Sequence, residues 1–400
     1  MKELTVASER SLQLGSAIFA ELAQWKRQAQ AEGKTIIDLG IGSPDLPPSK
    51  RVIRALKEAV SDAGNYGYPG SAGLLEFREV AAEWCRHRFD IELDPESEVL
   101  TLIGSQDGLA HLALSICNPG DVAIVPDPGY PVYEAGLALA GVTPYRVPLR
   151  EENGYLPDLE QIPVDIRQKA KFMLLNYPSN PLTVPADLSF FERWIDFARK
   201  YDIVAVHDLA YSELAFDGLK PPSILQIPGA KQVAVEFHSL SKSFNMAGCR
   251  IGFAIGRRDV LQALATVKSN IDYGVFLPIQ RAGIEALKEN MEQGGENRYA
   301  RIYERRRDVF VDQLQQYGWQ VEKPKATMFV WAKVPPGWAS RQISREMLFH
   351  AGVVVVPGDA FGREGEGYVR IALVQDESVL IEAARRLGMT IQNLQKNDVG

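Results

Sequence analysis

The chain has 400 residues, of which 46% are hydrophobic, so it can bury a large core and is long enough for two domains. Its net charge of −7 is spread along the sequence without a basic block, which argues against nucleic acid or an anionic membrane surface as a partner. No stretch is long and apolar enough to span a membrane, and three widely spaced cysteines indicate reduced thiols, so we expect a cytoplasmic protein.

Short apolar runs alternate with helical patterns along the first three quarters of the chain. An amphipathic helix is predicted over 16–32, and a strand-like segment over 35–39 precedes a loop. Further predicted strands, each rich in Val, Ile or Leu, are 99–103, 122–125, 172–175, 203–206, 233–237 and 251–255. Uninterrupted apolar strands of this kind are typical of a parallel sheet that is buried on both faces. The pattern predicts an α/β fold, whose large domain has three layers and a mainly parallel sheet.

The regular alternation of predicted strands and helices ends near residue 295. A long charged helix over 299–317 is followed by strands, with one helix near 340–350 between them; these strands are 328–334, 353–356 and 368–374. This mixture predicts a smaller α+β domain over 296–400. The large domain then covers 45–295, and residues 1–44 are expected to pack as an N-terminal segment on the small domain.

Polar and aromatic residues follow successive predicted strands at the point where each strand ends. In open parallel sheets, ligands bind outside these carboxyl ends. Gly104 and Ser105 open a helix, where free N–H groups can cradle a phosphate. Tyr130 follows the next strand with a ring that can stack on a flat heterocycle, and Asn180 follows the third with an amide. Each of these residues, taken alone, is equally well explained as part of an ordinary turn.

The last two strand ends carry a carboxylate and an amine. Asp208 closes a buried strand, where a protonated ring nitrogen would be a fitting partner for its charge. Lys242 lies in a Ser-x-Ser-Lys run just beyond 233–237, and partial burial there favours its neutral, nucleophilic form. A neutral lysine amine condenses with a carbonyl such as that of pyridoxal phosphate. The motif alone fits a surface lysine equally well, but the order of five strand ends favours a cofactor site.

That order resembles the class I and II aminotransferases, which belong to the fold-type I pyridoxal-phosphate enzymes. The likeness runs from Gly42-Ser43-Pro44-Asp45 to Arg370, and its most specific part is the Ser-x-Ser-Lys and Gly-x-Arg-Ile-Gly run at 239–252. The resemblance implies that Lys242 binds the cofactor covalently and later moves the substrate proton. It also implies that Asp208 keeps the pyridine nitrogen of the cofactor protonated.

Further roles follow from the same resemblance. Tyr211 and Asn180 would bond the phenolic oxygen of the cofactor, and Tyr130 would stack on its ring. The phosphate would be held by Ser105, Gln106, Ser239, Ser241 and Arg250. Tyr68 would reach the phosphate in the active site of a partner subunit, which implies a homodimer with shared sites.

The substrate end of the site is also implied by the resemblance. Arg370 would bind the substrate α-carboxylate, for which a planar guanidinium suits because it can bind both oxygens. Gly42 would lie against the substrate, and Asn180 would contact it. The sequence departs from the family at Asn180-Pro181-Leu182-Thr183, where the family often has Asn-Pro-Thr-Gly. The Asn-Pro pair is retained, so the departure concerns the turn that follows it.

The implied reaction is a ping-pong transfer of an amino group between an L-amino acid and a 2-oxo acid. LL-Diaminopimelate is the favoured donor, with aspartate and alanine as alternatives. A C–S β-lyase or decarboxylase of the same fold would need nearly the same cofactor residues. A catalytically silent module that binds pyridoxal phosphate for regulation is a further alternative, which the intact Lys242 and the lack of a DNA-binding segment disfavour.

Two other classes lack their motifs. A dinucleotide-binding oxidoreductase needs Gly-x-Gly-x-x-Gly after a strand, whereas Gly40-Ile41-Gly42 is followed by Ser-Pro-Asp. The five histidines show no paired spacing of the kind that binds a metal, so no metal site is expected.

Overall fold

The computed structural model of the chain describes residues 6–12, 14 and 17–397. The N-terminal segment contains two helices and one short strand: α1 (Glu9–Leu12), α2 (Ala17–Ala31) and β1 (Ile37–Asp38). The helix predicted over 16–32 is therefore α2, and Ser16 lies outside the described residues. β1 pairs in parallel with Val353–Val354, so the N-terminal segment packs on the C-terminal part of the chain.

A seven-stranded sheet forms the centre of the next part of the chain. Its strands are β2 (Val99–Leu102), β3 (Val122–Asp127), β4 (Thr143–Pro148), β5 (Ala170–Asn176), β6 (Val204–Asp208), β7 (Ala234–Ser239) and β8 (Gly252–Gly256). Their spatial order is β2-β8-β7-β6-β5-β3-β4. β8 runs antiparallel to both of its neighbours, and the other neighbouring pairs are parallel. The six predicted strands are present, whereas β4 was missed because it is a half-exposed edge strand that contains two prolines.

Helices cover both faces of this sheet. They are α3 (Lys50–Ser61), α4 (Leu75–Phe89), α5 (Ser105–Ile116), α6 (Val132–Ala140), α7 (Val164–Lys169), α8 (Leu188–Tyr201), α9 (Leu240–Ser243), α10 (Arg258–Ile271) and α11 (Leu277–Glu292). The side chains of β5 alternate between the two layers, with Phe172 and Leu174 in the cluster that contains Leu109 of α5. Met173 lies in the other cluster, with residues of α4, α8 and α11. The predicted three-layer α/β arrangement is confirmed.

The C-terminal part has its own core and a small antiparallel sheet. Its elements are α12 (Arg298–Gln316), β9 (Phe329–Lys333), α13 (Ser340–Glu346), β10 (Val353–Val354), β11 (Val356–Pro357), β12 (Tyr368–Ala372) and α14 (Glu377–Asn397). The small sheet has the order β11-β12-β9. The strand predicted over 353–356 is split in two, because β10 pairs with β1 while β11 pairs with β12.

A buried arginine joins this part to the loop that follows β1. Arg306 of α12 donates to both carboxylate oxygens of Asp45, at 2.8 and 2.7 Å, and to the carbonyl oxygen of Leu373 at 3.1 Å. Bidentate bonds of this type fix the orientation of the groups that they join. The loop that carries Gly42 is thereby held against the small sheet.

The structure bears on two expectations from the composition, which concern membrane-spanning segments and the cysteines. Across the described ranges, no helix combines the length and the apolar character that crossing a bilayer requires. Cys85, Cys117 and Cys249 are all free, and Cys85 is buried. Burial raises the pKa of the Cys85 thiol well above its usual value, so this cysteine acts as a small packing residue.

Candidate active site

A cavity of about 490 Å³ opens at the carboxyl ends of β5, β6 and β7, and residues of the small sheet form its opposite wall. Every residue predicted from the sequence to bind cofactor or substrate lines this cavity, except Tyr68. These residues are Gly42, Ser105, Gln106, Tyr130, Asn180, Asp208, Tyr211, Ser239, Ser241, Lys242, Arg250 and Arg370. The fold therefore brings together residues that are more than 300 positions apart in the sequence.

Lys242 lies on α9, a single helical turn directly after β7. Ser239 caps this turn, because its hydroxyl accepts a hydrogen bond from the Ser241 N–H at 3.2 Å. The Lys242 amine donates to the carbonyl oxygen of Gly42 at 2.6 Å. Burial, together with the charges of Arg370 and Arg250, lowers the pKa of Lys242 to about 8. A substantial fraction of the amine is thus neutral near physiological pH, as a nucleophile or base requires.

Asp208 ends β6 with its carboxyl group buried at the floor of the cavity. Its Oδ2 atom accepts a hydrogen bond from the Tyr133 hydroxyl at 2.7 Å, whereas Oδ1 has no partner among the described residues. Burial raises the pKa of Asp208, and the Tyr133 hydrogen bond acts in the opposite direction. A buried oxygen without a partner favours a ligand that donates an N–H or O–H to it.

A buried ionic network supports Asp208 from behind the sheet. Glu236 of β7 accepts hydrogen bonds from His207 at 2.8 Å, His238 at 2.8 Å and the hydroxyl of Ser223 at 2.7 Å. Burial opposes ionisation, but the hydrogen bonds and charges of His207 and His238 lower the pKa of Glu236 to about 2. Because His207 precedes Asp208 in β6, the network fixes the strand end from which the Asp208 carboxylate projects.

An anion site is built where α5 begins. Gly104 precedes the helix with a φ of 71°, and no side chain caps the first turn. The Arg250 guanidinium lies against Gly104, because a Cβ atom on this glycine would be 2.7 Å from Arg250 Nη2. The hydroxyls of Ser105, Ser239 and Ser241 line the same cavity. Uncapped N–H groups, hydroxyls and a guanidinium are a donor set that suits a phosphate group.

Arg370 of β12 is a buried cation without a carboxylate partner in the described ranges. Its Nη1 donates to Asn180 Oδ1 at 2.9 Å, and its Nη2 donates to the Gly40 carbonyl oxygen at 2.8 Å. The Nε atom is buried and has no hydrogen-bond partner among the residues that the structure describes. Burial lowers the pKa of Arg370 to about 10, which reflects the cost of an uncompensated charge. A ligand carboxylate would compensate that charge.

Phe329, the first residue of β9, was not identified from the sequence as part of the site. The guanidinium of Arg370 lies 4.3 Å from the centroid of its ring, and Tyr211 packs edge-on against it at 6.0 Å. A Cβ atom on Gly42 would be 2.3 Å from the same ring. Gly42 is therefore required by close contact with Phe329, in addition to its predicted place beside the substrate.

The remaining predicted residues are two tyrosines. The Tyr130 hydroxyl donates to Gln106 Oε1 at 3.3 Å, and its ring packs edge-on against Tyr133 at 5.7 Å. Tyr68 is 90% exposed, and its ring packs against that of Tyr273 at 5.5 Å. It is not among the described residues that line this cavity, and its role in the site of a partner subunit stays a prediction.

Known proteins with similar sequences identify the family. Residues 34–387 match the family described as aminotransferase class I and II. The chain belongs to this family. An LL-diaminopimelate aminotransferase from Syntrophobacter fumaroxidans is 47% identical to it over 382 residues, which cover 96% of this chain and 98% of that protein. The enzyme of the same name from Moorella thermoacetica is 47% identical over 380 residues, covering 95% and 97%.

Solved structures agree with this assignment. Substrate-bound BacF from Bacillus subtilis has a TM-score of 0.90 and 37% identity, with 98% of each chain covered. A probable N-succinyldiaminopimelate aminotransferase from Thermus thermophilus has a TM-score of 0.88 and 40% identity, covering 93% of this chain and 100% of that chain. The predicted family, fold type and aminotransferase activity are confirmed, and the alternative of a catalytically silent module is set aside.

One loop of the aminotransferase departs from the family pattern. Thr183 stands where the family often has glycine, and its φ of 63° lies in the left-handed region. A β-branched residue adopts this conformation only at an energetic cost. The N–H of Thr183 donates to the Ser179 carbonyl oxygen at 2.8 Å, and the N–H of Asn180 donates to Asn176 Oδ1 at 2.7 Å. The turn thus keeps a glycine-type backbone, and Asn180 stays at the cavity.

Proposed function

We propose that the aminotransferase binds pyridoxal 5'-phosphate in this cavity and that Lys242 is the residue that holds it. The cavity matches the cofactor group by group. The α5 anion site suits the phosphate, and the unpartnered Oδ1 of Asp208 suits the pyridine N–H. The Lys242 amine suits the aldehyde. The observation that carries the proposal is that a buried amine with a pKa of about 8 lies in the same cavity as this unpartnered carboxylate oxygen.

Each residue then has a defined task in amino-group transfer. Bound pyridoxal phosphate supplies a ring that withdraws electrons from the substrate α-carbon. Arg370 binds and orients the substrate carboxylate, while Lys242 removes the α-proton and returns it as an acid. Asp208 would hold the proton of the ring nitrogen, Tyr130 would pack on the ring, and Tyr211 and Asn180 would bond its phenolic oxygen.

We further propose a homodimer in which Tyr68 of one subunit completes the site of the other. Tyr68 and Tyr273 form one exposed aromatic pair, and Tyr66 and Phe276 form another at 5.7 Å. Exposed aromatic groups of this kind are typical of protein interfaces. Asp208 is the one acidic residue among the described residues that line the cavity. An acidic side chain that binds the distal ammonium group of a diamino acid would therefore come from the partner subunit.

A division into two domains is supported by the hydrophobic clusters, because most buried residues after Arg298 share one cluster, whereas the seven-stranded sheet packs in two others. We propose that 45–295 forms the large domain and 296–400 the small one, with 1–44 attached to the latter. The pairing of β1 with β10 supports that attachment. The cytoplasmic location also stays a prediction.

The proposed donor is LL-diaminopimelate, because this name belongs to relatives that are 44–47% identical over nearly the full chain. A panel of amino donors, assayed with 2-oxoglutarate as acceptor, tests it. We expect LL-diaminopimelate to give the highest kcat/KM, at least about tenfold above aspartate and alanine, since one fully paired polar group is worth this factor. Ammonia should not be released from any donor, whereas a β-lyase would release ammonia together with pyruvate; pyruvate formed from alanine without ammonia is the product of amino-group transfer. Turnover with none of the diamino or dicarboxylic donors would contradict the proposed substrate.

A further inference from the structure

The Tyr133 side chain is the sole side-chain donor to Asp208 within the described part of the chain. Tyr133 is in the first turn of α6, three residues after Tyr130, and it is almost completely buried. Its hydroxyl donates to Asp208 Oδ2 at 2.7 Å. Burial and the neighbouring Asp208 charge raise the pKa of Tyr133 well above its usual value, so the phenol keeps its proton and remains a donor.

This bond makes the two oxygens of Asp208 inequivalent. Oδ2 is occupied, so the carboxylate cannot rotate freely, and Oδ1 is left as the oxygen without a partner among the described residues, on a side chain that lines the cavity. We propose that Tyr133 is a positioning residue, which aims Oδ1 at the ring nitrogen of the cofactor and sets how strongly Asp208 competes for the proton of that nitrogen. The inference rests on the proposed function, because it needs a cofactor with a pyridine nitrogen.

A hydrogen bond to a carboxylate stabilises its charge and lowers its proton affinity. With the Tyr133 bond present, a proton shared with a bound cofactor would stay on the ring nitrogen, so the ring would withdraw electrons strongly. Without the bond, Asp208 would attract that proton more, and the ring would withdraw electrons less. The nitrogen by which Lys242 holds the cofactor would then be more basic and would keep its own proton to a higher pH.

The test is a pH titration of the visible absorption band of the cofactor in Tyr133→Phe. We expect the midpoint to rise by about one pH unit, which is a tenfold change in proton affinity. Because the readout is spectroscopic, it does not depend on turnover. We also expect kcat to fall while KM for the amino donor changes little, because Tyr133 acts through Asp208.

Tyr177→Phe is the matched control. Tyr177 is also buried, and its hydroxyl donates to the Tyr155 carbonyl oxygen at 2.8 Å, so its removal deletes one partly buried hydrogen bond that does not involve Asp208. We expect the midpoint of this variant to equal that of the wild type. An unchanged midpoint in Tyr133→Phe would overturn the proposal, and so would an equal shift in both variants.

A second variant covers the case in which Tyr133→Phe does not fold. Placing 3-fluorotyrosine at position 133 keeps the shape of the side chain and makes the phenol a stronger donor. The midpoint should then move to lower pH, whereas a tyrosine that only fills space would leave it unchanged. If the wild-type protein shows no such band with pyridoxal phosphate, the cofactor site itself is refuted, and the role of Tyr133 with it.

Discussion

Replacing Lys242 with alanine should lower kcat/KM for amino-group transfer by at least about 10²- to 10⁴-fold, the range expected when a general acid–base group is lost. The Lys242 amine is the one buried lysine amine that lines the described cavity. Its removal deletes both the covalent attachment of the cofactor and the proton carrier. Steady-state kinetics with a good donor, together with the visible spectrum, measure both losses.

Two control variants distinguish the loss of the reactive Lys242 amine from the loss of a positive charge and from a general effect of removing a lysine. Lys242→Arg keeps a positive charge but has no amine that becomes neutral, so it should be as inactive as the alanine variant. Lys57→Ala removes an exposed lysine of α3 and should match the wild type. Turnover within tenfold of the wild type in Lys242→Ala would contradict the assigned role.

Arg370→Lys should lower kcat/KM for amino acids by about 10²-fold, near the lower end of the about 2–5 kcal/mol that truncating one partner of a buried charge pair costs, because lysine keeps the charge. Arg370 uses two of its donors on Asn180 and Gly40 and holds Nε free. Lysine keeps the charge but cannot reproduce this planar arrangement. Most of the loss should appear as a raised KM, because the carboxylate is bound before and during the reaction.

The matched control for Arg370 is a change of substrate. The amine that lacks only the α-carboxylate of the donor gains nothing from Arg370. The preference for the amino acid over this amine should therefore shrink in Arg370→Lys by the same factor as kcat/KM. An unchanged preference would show that another group binds the carboxylate.

Many residues of the site could be predicted from the sequence because they lie at the carboxyl ends of the strands. Asp208 and Lys242 follow buried apolar runs, and parallel strands bring their carboxyl ends to one edge. The resemblance to a known family then supplied Arg370, which is remote in sequence. The three-layer arrangement followed from the same runs, since only a sheet covered on both faces buries uninterrupted apolar strands.

Other parts depend on contacts that a sequence does not display. Phe329 has the pattern of a core residue, and its position beneath Arg370 and against Gly42 follows from the packing of the small sheet on the loop after β1. The role of Tyr133 depends on one hydrogen bond across 75 positions, although its spacing of three from Tyr130 was a usable signal. β4 lacks the apolar run because it is an exposed edge.

The most direct test of the account is to locate the cofactor chemically. The holoenzyme is reduced with sodium borohydride, which makes the lysine–cofactor link permanent, and the modified peptide is identified by mass spectrometry. The structure predicts a single pyridoxyl group on Lys242, and none in Lys242→Ala. A pyridoxyl group on a different lysine, or equal labelling of the alanine variant, would contradict the assignment of this cavity as the active site.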